Sequence, residues 1–306
     1  MISKRALNAA LTRATGYEFR RARLGGRRGR VEPPAAGDRL VAEPTFILCS
    51  LRSGSTLLRV LLDSHSQLYA PQELHLRYVA VRLRSKWGRR AMRGLGLDAR
   101  ALEYLLWDRI LHRELTASGK PRIVCKTPND VFIADRLVEC WPDVRFLFLL
   151  RHPAAIARSR QAHGPNVDPE KNVDLIRRYC EAVEGARQSF PGHTVRYEEL
   201  TADPAAVTAG ICDFLGLPWE QGMLDYGRFD HGGYRAGLGD WKDKIRTGRV
   251  QPAEPPPAPE EIPAELRDIA AAWGYLPGEA ARHDARVDTA PPSSAAASSA
   301  SELGTR

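Results

Sequence analysis

Three stretches of the chain are apolar almost without interruption: 45–50 (TFILCS), 123–125 (IVC) and 145–150 (RFLFLL). A strand with one wet face alternates apolar and polar positions. Unbroken runs of this length predict strands covered on both faces, as in a parallel sheet. Between and after them apolar residues recur at helical spacing over 56–65, 130–141, 154–162, 172–190 and 204–215, with a shorter helix at 264–273 that stops at Gly274. Strand alternating with helix predicts an α/β fold, a doubly wound parallel sheet flanked by helices. Ligands of such sheets sit at the carboxyl ends of the strands.

Two segments break this rhythm. Residues 77–115 read as a helical insertion, with Arg77, Arg82, Arg84, Lys86, Arg89, Arg90, Arg93 and Arg100 interleaved with Tyr78, Trp87, Leu95 and Leu97. Residues 254–263 hold five prolines, which favour an extended crossing segment. The chain therefore divides into a basic arm at 1–40, one domain at 41–278, and an Ala- and Ser-rich tail at 279–306 with too few large apolar residues to order itself.

Charge and cysteines narrow the class. Residues 1–40 carry ten Lys or Arg against three Asp or Glu, so nearly all of the net charge of +8 lies in that arm. A nucleic-acid binder spreads basic residues over its folded face, so nucleic acid is disfavoured as a partner. Cys49, Cys125, Cys140, Cys180 and Cys212 are odd in number and make no CxxC, which predicts reduced, structural thiols. No run reaches the roughly 18 apolar residues of a membrane span, and 1–24 has no signal-peptide core. A cytoplasmic protein is expected.

The first predicted strand runs into Leu51-Arg52-Ser53-Gly54-Ser55-Thr56 and then a helix. A turn of small residues that opens a helix directs several backbone N–H groups and the positive end of the helix dipole at one point, which makes an anion site. Arg52 adds a fixed charge, and Ser55 and Thr56 add hydroxyls. The Walker pattern GxxxxGK[ST] is not present: no Lys follows Gly54. The strand at 145–150 ends in Arg151, not in a metal-holding Asp, and Ser159 follows eight residues later on the next predicted helix. An Arg at a strand end and a Ser on the following helix can converge on a second phosphate.

With these two strings the sequence resembles the 3′-phosphoadenosine 5′-phosphosulfate (PAPS)-dependent sulfotransferase family, whose fold is P-loop-like. The resemblance covers about 44–274 and includes Lys126-Thr127-Pro128, Val195-Arg196-Tyr197-Glu198-Glu199-Leu200 and Phe214-Leu215-Gly216-Leu217-Pro218. Within the family it is most similar to bacterial stand-alone enzymes and to domains of polyketide synthases, through Pro71-Gln72-Glu73-Leu74-His75, and more distantly to the protein-tyrosine sulfotransferases. The resemblance implies that Arg52, Ser53, Gly54, Ser55 and Thr56 bind the 5′-phosphosulfate, that Arg151 and Ser159 bind the 3′-phosphate, and that Tyr197 lies near the adenine. It implies PAPS as donor, no metal, and an acceptor pocket shaped by the segment after the first helix. Leu51 stands where the family often has Pro, and the late string Arg235-Ala236-Gly237-Leu238-Gly239-Asp240-Trp241 is one residue short, so Lys242 or Lys244 can replace Arg235 as a 3′-phosphate ligand.

Sulfuryl transfer to an alcohol needs a base, in-line geometry and positive charge at the leaving oxygen. Glu73 and His75 are the candidate bases. Two apart in an extended stretch, they point to one face. An imidazole suits general-base work near neutral pH, which makes His75 the first choice, with Glu73 orienting it or sharing the role. Lys126, at a strand end, is the candidate for charge on the leaving phosphate. His65 is expected to cap the first helix. The acceptor is read as a hydroxyl of a small, anionic or natural-product molecule or of a carrier-bound one, an anion meeting the basic segment 77–115 unless that segment is only a solvated helix face. The alternatives are a metal-dependent small-molecule or nucleotide kinase on the same fold and a donor-binding scaffold without catalysis.

Overall fold

The computed structural model describes residues 39–162, 167–232 and 243–276. The expectations for the basic arm up to residue 38, for Arg235 and Lys242, and for the tail from 279 lie outside the described residues. Five parallel strands, β1 (Thr45–Cys49), β2 (Leu68–Tyr69), β3 (Arg122–Lys126), β4 (Arg145–Leu150) and β5 (His193–Arg196), form one sheet in the order β2-β3-β1-β4-β5. The central three are the apolar runs of the sequence. Phe46, Leu48, Phe146, Phe148 and Leu150 enter one core, while Ile47, Cys49, Leu147 and Leu149 enter a second. Each face is buried, which is why the runs do not alternate. The edge strands β2 and β5 are short and carry polar residues, so no apolar run announced them.

The second core is closed by α1 (Ser55–Asp63), buried at every position, and by α8 (Pro204–Leu215). The first is covered by the longer helix of the insertion, through Tyr104, Trp107 and Leu111, and by helices that follow it. Residues 77–115 form not one helix but α2 (Lys86–Gly94) and α3 (Ala99–Ser118), broken at Gly96, whose φ of 74° a side chain disfavours. The Asp98 carboxylate caps α3 by accepting from the Arg100 and Ala101 amides, each at 2.8 Å. Its buried Trp107 donates to the Val79 carbonyl at 3.1 Å. Asp108 accepts from the amides of Leu40 and Val41 and from Trp141 Nε1, which fixes the chain entering β1.

The chain then runs through a 3-10 turn, Pro128–Ile133, into α4 (Ala134–Cys140), crosses β4, and continues as α5 (Pro153–Gln161), α6 (Pro169–Ser189), β5 and α7 (Tyr197–Ala202) before α8, with α9 (Ala264–Ala272) last. The helix expected at 130–141 is thus split. Pro128 starts the turn, and the ladder becomes α-helical only from Ala134. The proline-rich segment forms no helix until a single turn at Pro259–Glu261. All five cysteines are buried and free.

One expectation is overturned at the end of α1. His65 does not serve as its cation: its Nδ1 accepts from the Gln67 amide at 3.0 Å and its Nε2 faces the Pro218 carbonyl at 2.9 Å. The cap is Lys120, whose ammonium donates to the carbonyls of Asp63 (2.6 Å), His65 (3.1 Å) and Leu68 (2.8 Å). Three donors on a long side chain satisfy three carbonyls that an imidazole in the chain's own turn cannot reach.

Candidate active site

The donor-loop candidates sit where β1 ends and α1 begins. Gly54 is the N-cap of α1 with φ 87°, a conformation open to glycine at little cost, and it has no side chain to cap the helix. The first turn of α1 is therefore presented to the space above the sheet. Ser53 is fully buried, and its hydroxyl donates to the Ser50 carbonyl at 2.7 Å, so it shapes the loop from beneath. Arg52 has φ 60°, which costs a residue with a side chain on the order of 1 kcal/mol. Arg151 Nη1 donates to the Arg52 carbonyl at 2.7 Å and holds that turn in place.

Arg151 also stacks over the Tyr197 ring, Cζ 4.4 Å from its centroid, and that ring lies directly against Gly54. Burial pulls the Arg151 guanidinium below its ordinary value, opposed by Tyr197 and Glu198. An arginine keeps its charge nonetheless. Arg52 Nε donates to Ser159 Oγ at 3.4 Å. The two phosphate groups of residues inferred from the sequence, 52–56 and Arg151 with Ser159, are thus one connected assembly across β1, β4 and α5.

A cavity of about 750 Å³ opens over this assembly. Arg52, Gly54, Ser55, Thr56, Arg151, Ser159 and Tyr197 all line it, and so does Glu73. The sequence did not single out Arg158, Tyr226, Arg249, Gln251 and Glu254, which complete the wall. Arg158 could have been found from its place beside Ser159. Tyr226 precedes residues 233–242, which are not among the described ones, and Arg249, Gln251 and Glu254 follow them; none carries a spacing signal. Lys244, a candidate for the second phosphate, lines the same cavity and holds Glu254 at 3.0 Å.

The catalytic candidates form a second assembly at the cavity's edge. Lys126, 2% exposed at the end of β3, donates to Glu73 Oε1, while His75 Nε2 lies 3.5 Å from Glu73 Oε2. The carboxylate therefore bridges ammonium and imidazole. The extended stretch expected for 73–75 does not hold at His75, which has φ 51° and caps the 3-10 turn Leu76–Tyr78, with its amide donating to Thr127 Oγ1 at 3.3 Å. The two side chains meet through this turn and not through strand geometry. Of the two, Glu73 lines the cavity and His75 does not.

Donor loop and bridging carboxylate are coupled through the strands. Lys126 is paired in register with Ile47, two residues before the end of β1. Burial pushes the Cys49 thiol up to about 11, with Lys126 and the hydroxyls of Ser55 and Ser53 drawing it down. One buried ammonium thus lies close to both the loop at 52–56 and Glu73.

Residues 44–221 match the Sulfotransferase family. The chain belongs to the sulfotransferase family. A protein-tyrosine sulfotransferase of Drosophila melanogaster is 24% identical over 193 residues, which are 58% of this chain and 39% of that one. The chain spans about half the length, or less, of the curated relatives it matches. Among solved structures, the sulfotransferase domain of the Synechococcus PCC 7002 olefin synthase shares 24% identity at a TM-score of 0.55, over 77% of this chain and 96% of that domain. The sulfotransferase domain of the curacin biosynthetic pathway gives 24% and 0.52, over 78% and 99%. At this identity the two domains show the shared fold, and the sulfotransferase P-loop-like sheet is that of this chain.

Proposed function

We propose that the chain transfers the sulfuryl group of PAPS to a hydroxyl. The observation that carries the reading is the single cavity lined both by the anion loop 52–56 with Arg151 and Ser159 and by the bridging carboxylate of Glu73. A donor phosphorylated at two ends needs two anion subsites in one pocket, and a transferase needs a base within reach of the acceptor hydroxyl that attacks the sulfur.

In this reading the 5′-phosphosulfate lies on the first turn of α1, where backbone amides and the hydroxyls of Ser55 and Thr56 meet its oxygens. Arg151, Ser159, Arg158 and Lys244 take the 3′-phosphate, and Tyr197 walls the nucleotide. The acceptor hydroxyl attacks sulfur as the bond from sulfur to the phosphate's bridging oxygen breaks. Its proton passes to Glu73, with His75 orienting the carboxylate. The electron pair leaves on the 5′-phosphate of adenosine 3′,5′-bisphosphate, toward which Lys126 supplies positive charge. Preorganised charge of this kind is worth about 10² to 10³ in rate per donor group. The acceptor is an alcohol, either free or carried on a protein. The origin of both solved domains in biosynthetic assemblies supports the carrier-bound form.

The test is bisphosphate release from PAPS in the presence of a panel of alcohols. Turnover by the native protein and its loss in Glu73→Gln, with bisphosphate binding retained, is the expected result. Tight bisphosphate binding with no turnover on any alcohol would favour a donor-binding scaffold.

A further inference from the structure

No residue of α2 is buried, yet the helix is amphipathic. Lys86, Arg89, Arg90 and Arg93 recur at i, i+3, i+4 and i+7 and share one face. Trp87, Ala91 and Leu95, four apart, form the other with Met92. That apolar face stands in solvent: Trp87 is 67% exposed and Leu95 69%. With Tyr78 at 55%, this short stretch holds half of the large apolar side chains exposed among the described residues. From Leu74 to Leu97 the chain has seven Lys or Arg and no Asp or Glu. The helix is nonetheless well specified, with the Ser85 hydroxyl accepting from the Gly88 amide at 2.9 Å and Arg89 Nη1 donating to the Leu83 carbonyl at 3.1 Å.

We propose that α2 and its flanks dock the protein on an anionic lipid surface. A solvent-facing helix with a cationic face opposite an apolar one needs apolar and anionic surroundings within a few ångströms of each other. A bilayer interface supplies both along its depth, acyl boundary beneath and phosphates above, and long Arg and Lys side chains reach up to the phosphates as the helix sinks. Trp87 and Tyr78 have the amphipathic rings that settle at headgroup level. A rigid acidic protein would have to wrap opposite sides of one short convex helix, which makes it the poorer fit. Charge complementarity therefore selects lipid of net negative charge, each cation near the surface adding to the attraction. His75 lies three residues before Tyr78, the ring centroids 6.1 Å apart, so docking brings the Glu73–His75 pair toward the membrane. The docking itself does not depend on the sulfotransferase reading.

The experiment is co-sedimentation of the full chain with vesicles of phosphatidylcholine alone and of phosphatidylcholine with about one third phosphatidylglycerol. Binding to the second and not to the first is expected. Trp87→Ala with Leu95→Ala, and separately Arg89→Glu with Arg90→Glu, should each weaken it by about tenfold or more. Because these side chains lie in solvent, an unchanged thermal unfolding midpoint serves as the control for folding. Brominated acyl chains should quench the native protein's fluorescence more than that of Trp87→Phe. No vesicle binding, capture by an acidic protein alone, or anionic-vesicle binding that both double substitutions leave intact would overturn the proposal.

Discussion

Gly54 presents its Cα to the edge of the Tyr197 ring, so close that a Cβ at position 54 would overlap Cδ2 and Cε2 of the tyrosine. A loop from β1 and the start of α7, more than a hundred residues apart, are thereby locked face to face at the wall of the cavity. Gly54→Ala adds that overlap to the strain of a φ of 87°. It should lower bisphosphate affinity by about 100-fold and stability by roughly 1–3 kcal/mol. In urea unfolding, Tyr197→Ala added to Gly54→Ala should cost less stability than the two single losses summed, since it removes the overlap and leaves the strain.

The bridge through Glu73 predicts strong coupling. Glu73→Gln should lower kcat by about 10² to 10⁴ with little change in donor affinity. Lys126→Met should lower kcat as well and also disturb the donor loop, because the ammonium lies close to both. In a double-mutant cycle the two losses should be far from additive, as expected of groups that act as a unit. Additive losses would separate Lys126 from Glu73.

Asp130, 1% exposed, lies on the turn behind these residues. Burial pushes its carboxyl up to about 7, and the Arg77 amide and Thr127 hydroxyl pull it down without cancelling that effect, while Glu73 adds to it. The unfolded chain releases this proton near 4 and the folded protein keeps it to about 7. Stability from this group is therefore complete below pH 4 and is lost as pH rises through 7, by about 1.4 kcal/mol per unit between the two. Urea unfolding of Asp130→Asn should show this slope removed and the protein stabilised at pH 8 relative to the native chain.

Glu254 is, beside Glu73, a carboxylate in a cavity otherwise rich in cations. It sits 3.0 Å from Lys244, and Lys244, Arg158 and Arg151 hold its acidity above the ordinary range. An incoming phosphate must displace it from Lys244. Glu254→Gln should bind the bisphosphate about two- to tenfold more tightly, and the gain should shrink as salt screens the exposed charges. Weaker binding would instead make Glu254 a ligand of the nucleotide.

The sheet's centre was legible because β1, β3 and β4 are buried on both faces and write continuous apolar runs. Leu68–Tyr69 and His193–Arg196 were not, since each pairs on one side only and needs few apolar residues. The strand–turn–helix at 51–56 could be read because small residues between an apolar run and a helical pattern mark a turn. What the sequence hid were long-range arrangements. The grip of Arg151 on the Arg52 carbonyl, the Tyr197 ring against Gly54, and the Lys120 cap on α1 depend on side chains that the fold brings together from distant positions. The turn at His75 hid the bridge for a different reason, since a positive φ in a residue with a side chain has no pattern to betray it.

The central claim is that the cavity holds a nucleotide phosphorylated at its 3′ and 5′ ends, and thermal unfolding tests it most directly. The account predicts that adenosine 3′,5′-bisphosphate raises the midpoint without any metal, that Arg52→Ala with Arg151→Ala abolishes the shift, and that ATP with magnesium has little effect. A protein stabilised by ATP with magnesium and indifferent to the bisphosphate would contradict it.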